Sequence, residues 1–280
     1  MRALFQHGRY AEVTAALPRL LPAAINADAH HHDARRAADL AELYTLSTEL
    51  LVKVGYDHLA WTTADRALQA AYASDDILTT ATARRAWGRV LRRAGRAEVA
   101  NRLVIDMAAE LQHHTRHDPE HLSVYGSLLS TAAYTAATSG DRDTAHTLIG
   151  EATDAARRVG GDTNYRGTAF GSTGVDLYRI SIARALGDPG TAIDIAARIN
   201  PATIPTIERR GQYWTDVARA YHQWGKPERC YRALLAAERA TPDEVRHRGH
   251  IQKITTTLLH HPGTTLPGLR AFAGRVGITA

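Results

Sequence analysis

Six glycines at one recurring place constrain this chain more than any other feature. Gly8, Gly55, Gly95, Gly140, Gly187 and Gly225 stand 38 to 47 residues apart, and each opens a polar or proline-containing turn before a helical run. Gly95-Arg96-Ala97-Glu98, Gly140-Asp141-Arg142-Asp143 and Gly187-Asp188-Pro189-Gly190 show the form. Five residues after each glycine stand Val13, Ala60, Ala100, Ala145, Ala192 and Cys230, all small or β-branched. Nine after stand Leu17, Ala64, Val104, Ile149, Ala196 and Leu234, and twelve after stand Leu20, Ala67, Met107, Ala152, Ile199 and Ala237. Steps of four and three residues put these rows on one helix face. Four before the glycines stand Leu51, Leu91, Ala136, Ala183 and Tyr221, and twelve before stand Leu43, Ala83, Leu128, Val175 and Tyr213. Each unit therefore reads helix, glycine turn, helix. The glycine reaches the left-handed backbone conformation that ends the first helix cheaply.

A single such unit cannot bury its apolar face, so the units must stack into a superhelix with a concave groove. The expected fold is all-α: a tetratricopeptide-like right-handed α-solenoid of about six antiparallel helix pairs, forming one domain over 1–280 with an irregular loop at 160–174. The helices are longer than those of a tetratricopeptide repeat of about 34 residues. The pattern predicts helices over 9–25, 33–54, 57–74, 76–94, 96–114, 119–139, 141–159, 174–186, 189–199, 205–224, 227–240, 243–260 and 267–276. Pro18 and Pro22 are expected to kink or shorten the first.

Composition supports a packed helical protein. Apolar residues make up 44% of the 280, enough for a core, and abundant Ala lets helix backbones approach closely. The net charge of +5 is mild, and the basic residues alternate with acidic ones: Arg35 and Arg36 lie near Asp33 and Asp39, and Arg96 precedes Glu98. Such mixing reads as solvated helix faces rather than a phosphate-binding patch. One cysteine, Cys230, excludes an internal disulfide and fits a reducing compartment. No stretch approaches the roughly 18 apolar residues of a membrane span, and Met1 to Gly8 carries no apolar signal region. The expectation is a cytoplasmic protein without a membrane partner.

Histidines cluster at His30-His31-His32 on an expected loop from Ala27 to His32, at His113-His114 with His117, and at His260-His261. Neighbours in sequence cannot all face one ion, and no acidic or Cys partner is fixed nearby. They read as solvated helix ends, and no metal or cofactor is expected. The sequence also lacks a Gly-x-Ser-x-Gly elbow, a His-Glu-x-x-His pair, a Walker loop and a Cys pair, so no catalytic residue is assigned.

Two places are candidates for binding. Val159 to Gly174 carries five internal or terminal glycines beyond Val159 in an otherwise helical chain, and long loops in compact repeat arrays are often functional. Asn164, Tyr165, Arg166 and Phe170 offer donors, an aromatic face and an apolar anchor, and Asp176, Tyr178 and Arg179 follow on the next helix. The alternative is a plain connection in which Tyr165 and Phe170 plug the adjacent core. The second candidate is a mixed row expected to line the groove: Tyr44, Arg84, Leu129, Asp176 and Trp214 eleven before each glycine, and Ser47, Trp87, Ala132, Arg179 and Val217 eight before. Burial between units is the alternative for Trp87 and Trp214. A third idea, nucleic-acid binding through Arg84, Arg85, Arg89, Arg92 and Arg93, is weakened because these spread over more than one helix face, and Arg92-Arg93 sit at a helix C-terminus where cations are favoured anyway.

Asn164-Tyr165-Arg166-Gly167-Thr168-Ala169-Phe170-Gly171, with Thr173 and Arg179, resembles the C-terminal repeat domain of actinobacterial Xre-type helix-turn-helix regulators. The resemblance extends through Gly8-Arg9-Tyr10-Ala11-Glu12, Leu59-Ala60-Trp61, Ala64-Asp65-Arg66-Ala67-Leu68, Leu91-Arg92-Arg93-Ala94-Gly95-Arg96, the stretch Leu122-Ser123-Val124-Tyr125-Gly126-Ser127-Leu128-Leu129, and Leu269-Arg270-Ala271-Phe272-Ala273. It implies a repeat domain that senses a ligand or mediates assembly. The helix-turn-helix domain of that family has no counterpart here, so no direct DNA binding is expected. Ser172, Gly174 and Tyr178 stand where the family usually has Pro, Asn and His.

The expected function is a non-enzymatic sensor or interaction protein that holds a small molecule or peptide in its groove through Tyr44, Arg84, Trp87, Tyr125, Asn164, Tyr165, Phe170, Asp176, Tyr178, Arg179 and Trp214. A protein partner or a homodimer is the further expectation. The alternative is an enzyme of specialised metabolism that has recruited the same groove as an active site.

Overall fold

The computed structural model of the chain describes residues 1–31, 33–113, 118–246, 248–261 and 266–278. It is an all-α, helical-repeat, solenoid-like fold. Its helices in chain order are α1 (Arg2–Gln6), α2 (Tyr10–His31), α3 (Ala34–Val54), α4 (Asp57–Ala73), α5 (Ile77–Arg93), α6 (Ala97–His113), α7 (Pro119–Thr138), α8 (Arg142–Val159), α9 (Ser172–Ala185), α10 (Pro189–Ala197), α11 (Ile207–Gln223), α12 (Pro227–Ala240), α13 (Pro242–Arg246), α14 (Gly249–Leu259) and α15 (Leu269–Arg275). Among the described residues no helix is long and apolar enough to cross a membrane.

All six repeat glycines have φ between +67° and +84°, the left-handed region in which a Cβ is disfavoured. Each closes the first helix of a pair: α1, α3, α5, α7, α9 and α11 are first helices, and α2, α4, α6, α8, α10 and α12 are their partners. Side-chain caps open several helices. The carboxylates of Asp33, Asp76, Asp118, Asp141 and Asp188 each accept from a backbone N–H of the first turn.

Val13, Ala60, Ala100, Ala145, Ala192 and Cys230 are at most 1% exposed, so every pair crosses at its small residue. The next two rows are buried in the middle repeats. They loosen at Leu17, Leu20 and Ile199, because five-residue α1 is too short to cover the far turns of α2 and because α10 ends before Ile199. First helices also pack on first helices, α3 on α5, α5 on α7, α7 on α9 and α9 on α11.

Three expectations are corrected. Helix α2 runs through Pro18 and Pro22 to His31, so His30 is helical rather than in a loop. Both prolines are exposed, on a face where water can replace the backbone bonds they remove. His32, His114 and His117 lie outside the described residues. The helix expected over 243–260 is two, α13 and α14. Helix α9 begins at Ser172, two residues early.

The loop before α9 is folded on itself. The Thr163 N–H donates to the Phe170 carbonyl at 2.8 Å, and Asp162 accepts from the Thr173 N–H at 3.1 Å. Phe170 is buried against Gly126 of α7, where an added Cβ would stand 2.0 Å from the Phe170 ring. We expect Gly126→Ala to lower stability by about 1–3 kcal/mol, the usual cost of overpacking. Gly150→Ala, in α8 with open space around it, should instead gain up to about 1 kcal/mol from helix propensity. Denaturant midpoints compare the two, and equal midpoints would show that Phe170 does not anchor the loop.

Candidate ligand-binding cavity

The repeat array closes on itself. Helix α1 packs against α11, and Phe5 sits among Leu46 and Leu50 of α3. The Gln6 and Asn164 side chains exchange two hydrogen bonds of 2.9 Å. Lys53 of α3 reaches Glu208 of α11 at 2.6 Å and Glu244 of α13 at 3.0 Å, and the Tyr10 hydroxyl donates to Glu244 at 2.6 Å. The concave face thereby becomes the wall of a cavity of about 250 Å³.

The wall is built in register. Six residues before the repeat glycines stand Glu49, Arg89, Tyr134, Ser181 and Arg219, and all five line the cavity. Nine before, Tyr178 and Asp216 line it as well. The row expected to line the groove, eleven and eight before, points elsewhere. Two residues turn a helix by about 200°, so the rows eleven and nine before the glycine lie on nearly opposite sides. The first helices are flanked by their partners and by neighbouring repeats, and the expected row falls in those seams: Ser47, Leu129, Ala132 and Val217 are all buried.

The polar wall is rich in cations. Lys53, Arg85, Arg89, Arg92, Arg184, Arg209, Arg219 and Arg248 stand on it or just behind it, against the carboxylates Glu49, Glu208, Asp216 and Glu244. Glu49 is shared by Arg2, Arg85 and Arg89. Asp216 lies 3.3 Å from Arg219 and 3.9 Å from Arg184, and accepts from Ser181 at 2.7 Å and Gln212 at 2.9 Å. Arg92 donates to the Thr135 hydroxyl at 3.0 Å and stacks 4.7 Å over the Tyr134 ring. It has no carboxylate partner among the described residues.

This field sets the protonation of its neighbours. Burial opposes ionisation of Tyr178, but Arg85, Arg209 and Arg89 outweigh it and bring the phenol down to about 6. Burial likewise opposes ionisation of Glu208, and Lys53 and Arg209 hold it at about 2. Burial and then Arg248, Arg219, Arg184 and Arg93 keep His250 neutral well below the usual imidazole range. Burial raises Asp216, but Arg219 and Arg184 with its two side-chain donors keep it below the usual carboxylate value.

Of the eleven residues expected to bind ligand, the structure brings only Tyr178 to this cavity. Arg84 faces outward to Glu110 at 3.1 Å, and Tyr44 is half-buried beside α4. Trp87 packs edge-on against Trp61 at 4.6 Å, and Trp214 against Tyr213 at 4.9 Å. Tyr125 lines a separate depression beside Glu151. Asp176 and Arg179 pair at 3.1 Å over another, next to Gly160. Asn164 ties the loop to α1, Tyr165 is exposed, and Phe170 is buried. Sequence reasoning missed the strongest signal, Arg85, Arg89 and Arg92 at steps of four and three on one face of α5. Arg89, Arg92 and Arg93 line the cavity with Arg85 just behind it, Arg93 also pairing with Asp57 at 2.7 Å, whereas Arg84 turns out to Glu110, so the five arginines form no shared outer surface for nucleic acid.

The fold defines the class, an α-helical repeat, solenoid-like protein whose concave face forms a partly open cavity. Among solved structures it is similar to BtubC (BKLC) from P. vanneervenii, with a TM-score of 0.51 and 15% identity over 92% of this chain and 95% of that one. Comparison with protein-family models and with curated proteins gives no match.

The shifted acids predict opposite ends of a pH profile. Glu208 ionises below its ordinary value, so its stabilisation is present above about pH 4.5 and is lost as pH falls toward about 2. Glu208→Gln should flatten that part of an acid-unfolding curve. Tyr178 also ionises low, so its contribution grows as pH rises from about 6 toward the ordinary tyrosine value of about 10. Near-ultraviolet tyrosinate absorbance should develop near neutral pH in the native chain and be missing in Tyr178→Phe.

Proposed function

We propose that this chain is a non-enzymatic binding protein whose partly open concave cavity takes a small, negatively charged molecule. The observation that carries the reading is the excess of half-buried guanidinium groups over carboxylates on the wall, with Arg92 as its clearest member. Buried cations are costly unless an anion meets them. A multiply charged ligand would offset that cost in a site where water screens little. The volume of about 250 Å³ is below that of pockets for drug-sized ligands, roughly 300–1,000 Å³, and favours a small molecule over a peptide. A sensor related to Xre-type regulators, acting through a separate DNA-binding domain or partner, is the role we propose on the resemblance of the sequence.

A second reading, an enzyme of specialised metabolism using the same cavity, draws on Tyr178, a phenol ionised near neutral pH and hydrogen-bonded at 3.3 Å to Arg85 and to Thr131. Such a group can take a proton. Turnover of a bound compound that stops in Tyr178→Phe, with binding retained, would favour it.

Thermal shift against phosphorylated, carboxylated, neutral and cationic metabolites tests the first reading. Anions should raise the melting temperature. Arg92→Ala should weaken the best of them about 10- to 100-fold, the worth of one charge-assisted hydrogen bond, while Arg84→Ala should not. Stabilisation by neutral or cationic compounds alone would overturn the proposal.

A further inference from the structure

We infer that one end of the cavity, formed by Arg92, Arg219, Arg248 and His250, is a subsite for a phosphate group, free or carried on a small organic molecule. The inference rests on the proposed binding of an anion and adds its chemistry and its place.

The two ends of the cavity differ in how their cations are met. At one end, Arg85, Arg89 and Arg209 surround the Tyr178 phenol, with Glu49 and Glu208 beside them. Each cation there already has an anionic neighbour. At the other end Tyr134 joins Arg92, stacked on its ring, to Arg184, which donates to its hydroxyl at 3.2 Å. Arg184 and Arg219 share Asp216. Arg248 donates to Gln212 at 2.7 Å, and Gln212 donates to Asp216.

Asp216 accepts three hydrogen bonds, from Ser181, Gln212 and Arg219, with Arg184 a further 3.9 Å ion-pair neighbour, and it makes no contact with Arg92. Glu244 receives Arg248, but it receives Lys53 and Tyr10 as well. Polar atoms here remain buried without a hydrogen-bond partner among the described residues: Nε2 of His250, Nε of Arg248 and, just behind the wall, Nε of Arg184. Unmatched buried donors are costly and rare in folded proteins.

The donor geometry selects the anion. Arg92 comes from α5, Arg219 from α11, and Arg248 and His250 from the start of α14 and the residue before it. A carboxylate has two oxygens in one plane and is satisfied by one guanidinium held side-on. Donors arriving from three elements suit a tetrahedral group with three terminal oxygens and up to two negative charges. His250, kept neutral by its surroundings, adds a donor or acceptor without adding to the charge. The Arg92–Tyr134 stack forms one flank, where the organic part of a phosphate ester would pack.

Isothermal titration calorimetry on the full chain with inorganic phosphate, a sugar phosphate and succinate tests this. Phosphate and sugar phosphate should bind saturably with one site and at least tenfold more tightly than succinate. Arg92→Gln and His250→Ala should each cut phosphate affinity at least tenfold, with a native circular dichroism spectrum. Arg84→Gln, outside the cavity, should leave it unchanged. Binding of inorganic phosphate but not the ester places a free oxyanion there, and binding of the ester alone places a phosphorylated molecule; both support the subsite. Tighter binding of succinate would overturn the phosphate assignment and leave the anion reading standing. No binding of any of the three, with no stabilisation by other anions, would overturn both. Equal losses in Arg84→Gln and Arg92→Gln would reduce the effect to net charge and remove the site.

Discussion

Lys53 holds the two ends of this chain together. Its ammonium is buried between Glu208 and Glu244, and the Phe5 and Tyr10 rings stand 5.8 and 5.5 Å away. Stacked repeats ordinarily touch only their neighbours, so their ends are free. Here a side chain of the second pair reaches residues more than 150 positions on, in α11 and α13. Removing one partner from a buried ion pair typically costs about 3–5 kcal/mol, because the other charge stays buried and unmet. Closure at Lys53 narrows the concave face to a partly open cavity, and the electrostatic features of its wall depend on that.

Once the face is narrowed to a cavity, its arginines are only partly exposed to water. Part of their charge is met by Glu49, Glu208, Asp216 and Glu244, and part by ionisation of Tyr178. That phenol acts as an internal counter-ion. The coupling has a direction: an anion bound near Arg89 or Arg209 would weaken the field on Tyr178 and raise its pKa toward the ordinary value. Ligand binding and Tyr178 ionisation therefore oppose each other through the same guanidinium groups, as linkage requires.

The fold was legible because its signals are local. A glycine that must take positive φ and a small residue five positions later are visible in any stretch of chain, and Gly95 with Ala100 or Gly140 with Ala145 shows both. The cavity was not legible in the same way. Its wall differs from the packing seams only by which side of a helix meets another repeat, and that is settled by contacts such as α1 on α11 that no local pattern encodes. Trp87 and Trp214 looked like ligand contacts because they are aromatic, yet each stacks on a neighbouring ring. Arg89 and Arg92 were not legible as a site because the arginines of α5 spread over more than one helix face and Arg92-Arg93 close the helix, yet both line the cavity. Phe170 did read correctly in its plainer sense, as a plug under α7.

The register separates what folds the chain from what equips the cavity. The rows five, nine and twelve after each glycine hold the helix pairs and tolerate little change in volume. The position six before five of the six glycines carries Glu49, Arg89, Tyr134, Ser181 and Arg219, four different chemistries at equivalent places. Because this position faces the cavity rather than a helix seam, its side chains are free of the size limit that governs the packing rows. A repeat array of this kind can therefore change the chemistry of its cavity wall by substitutions six before the glycines, leaving the small-residue crossings intact. The mixture of charges follows from the same freedom: nothing in the helix packing demands an arginine at 89 or 219, and each is instead met on the cavity wall by a carboxylate, Glu49 for Arg89 and Asp216 for Arg219.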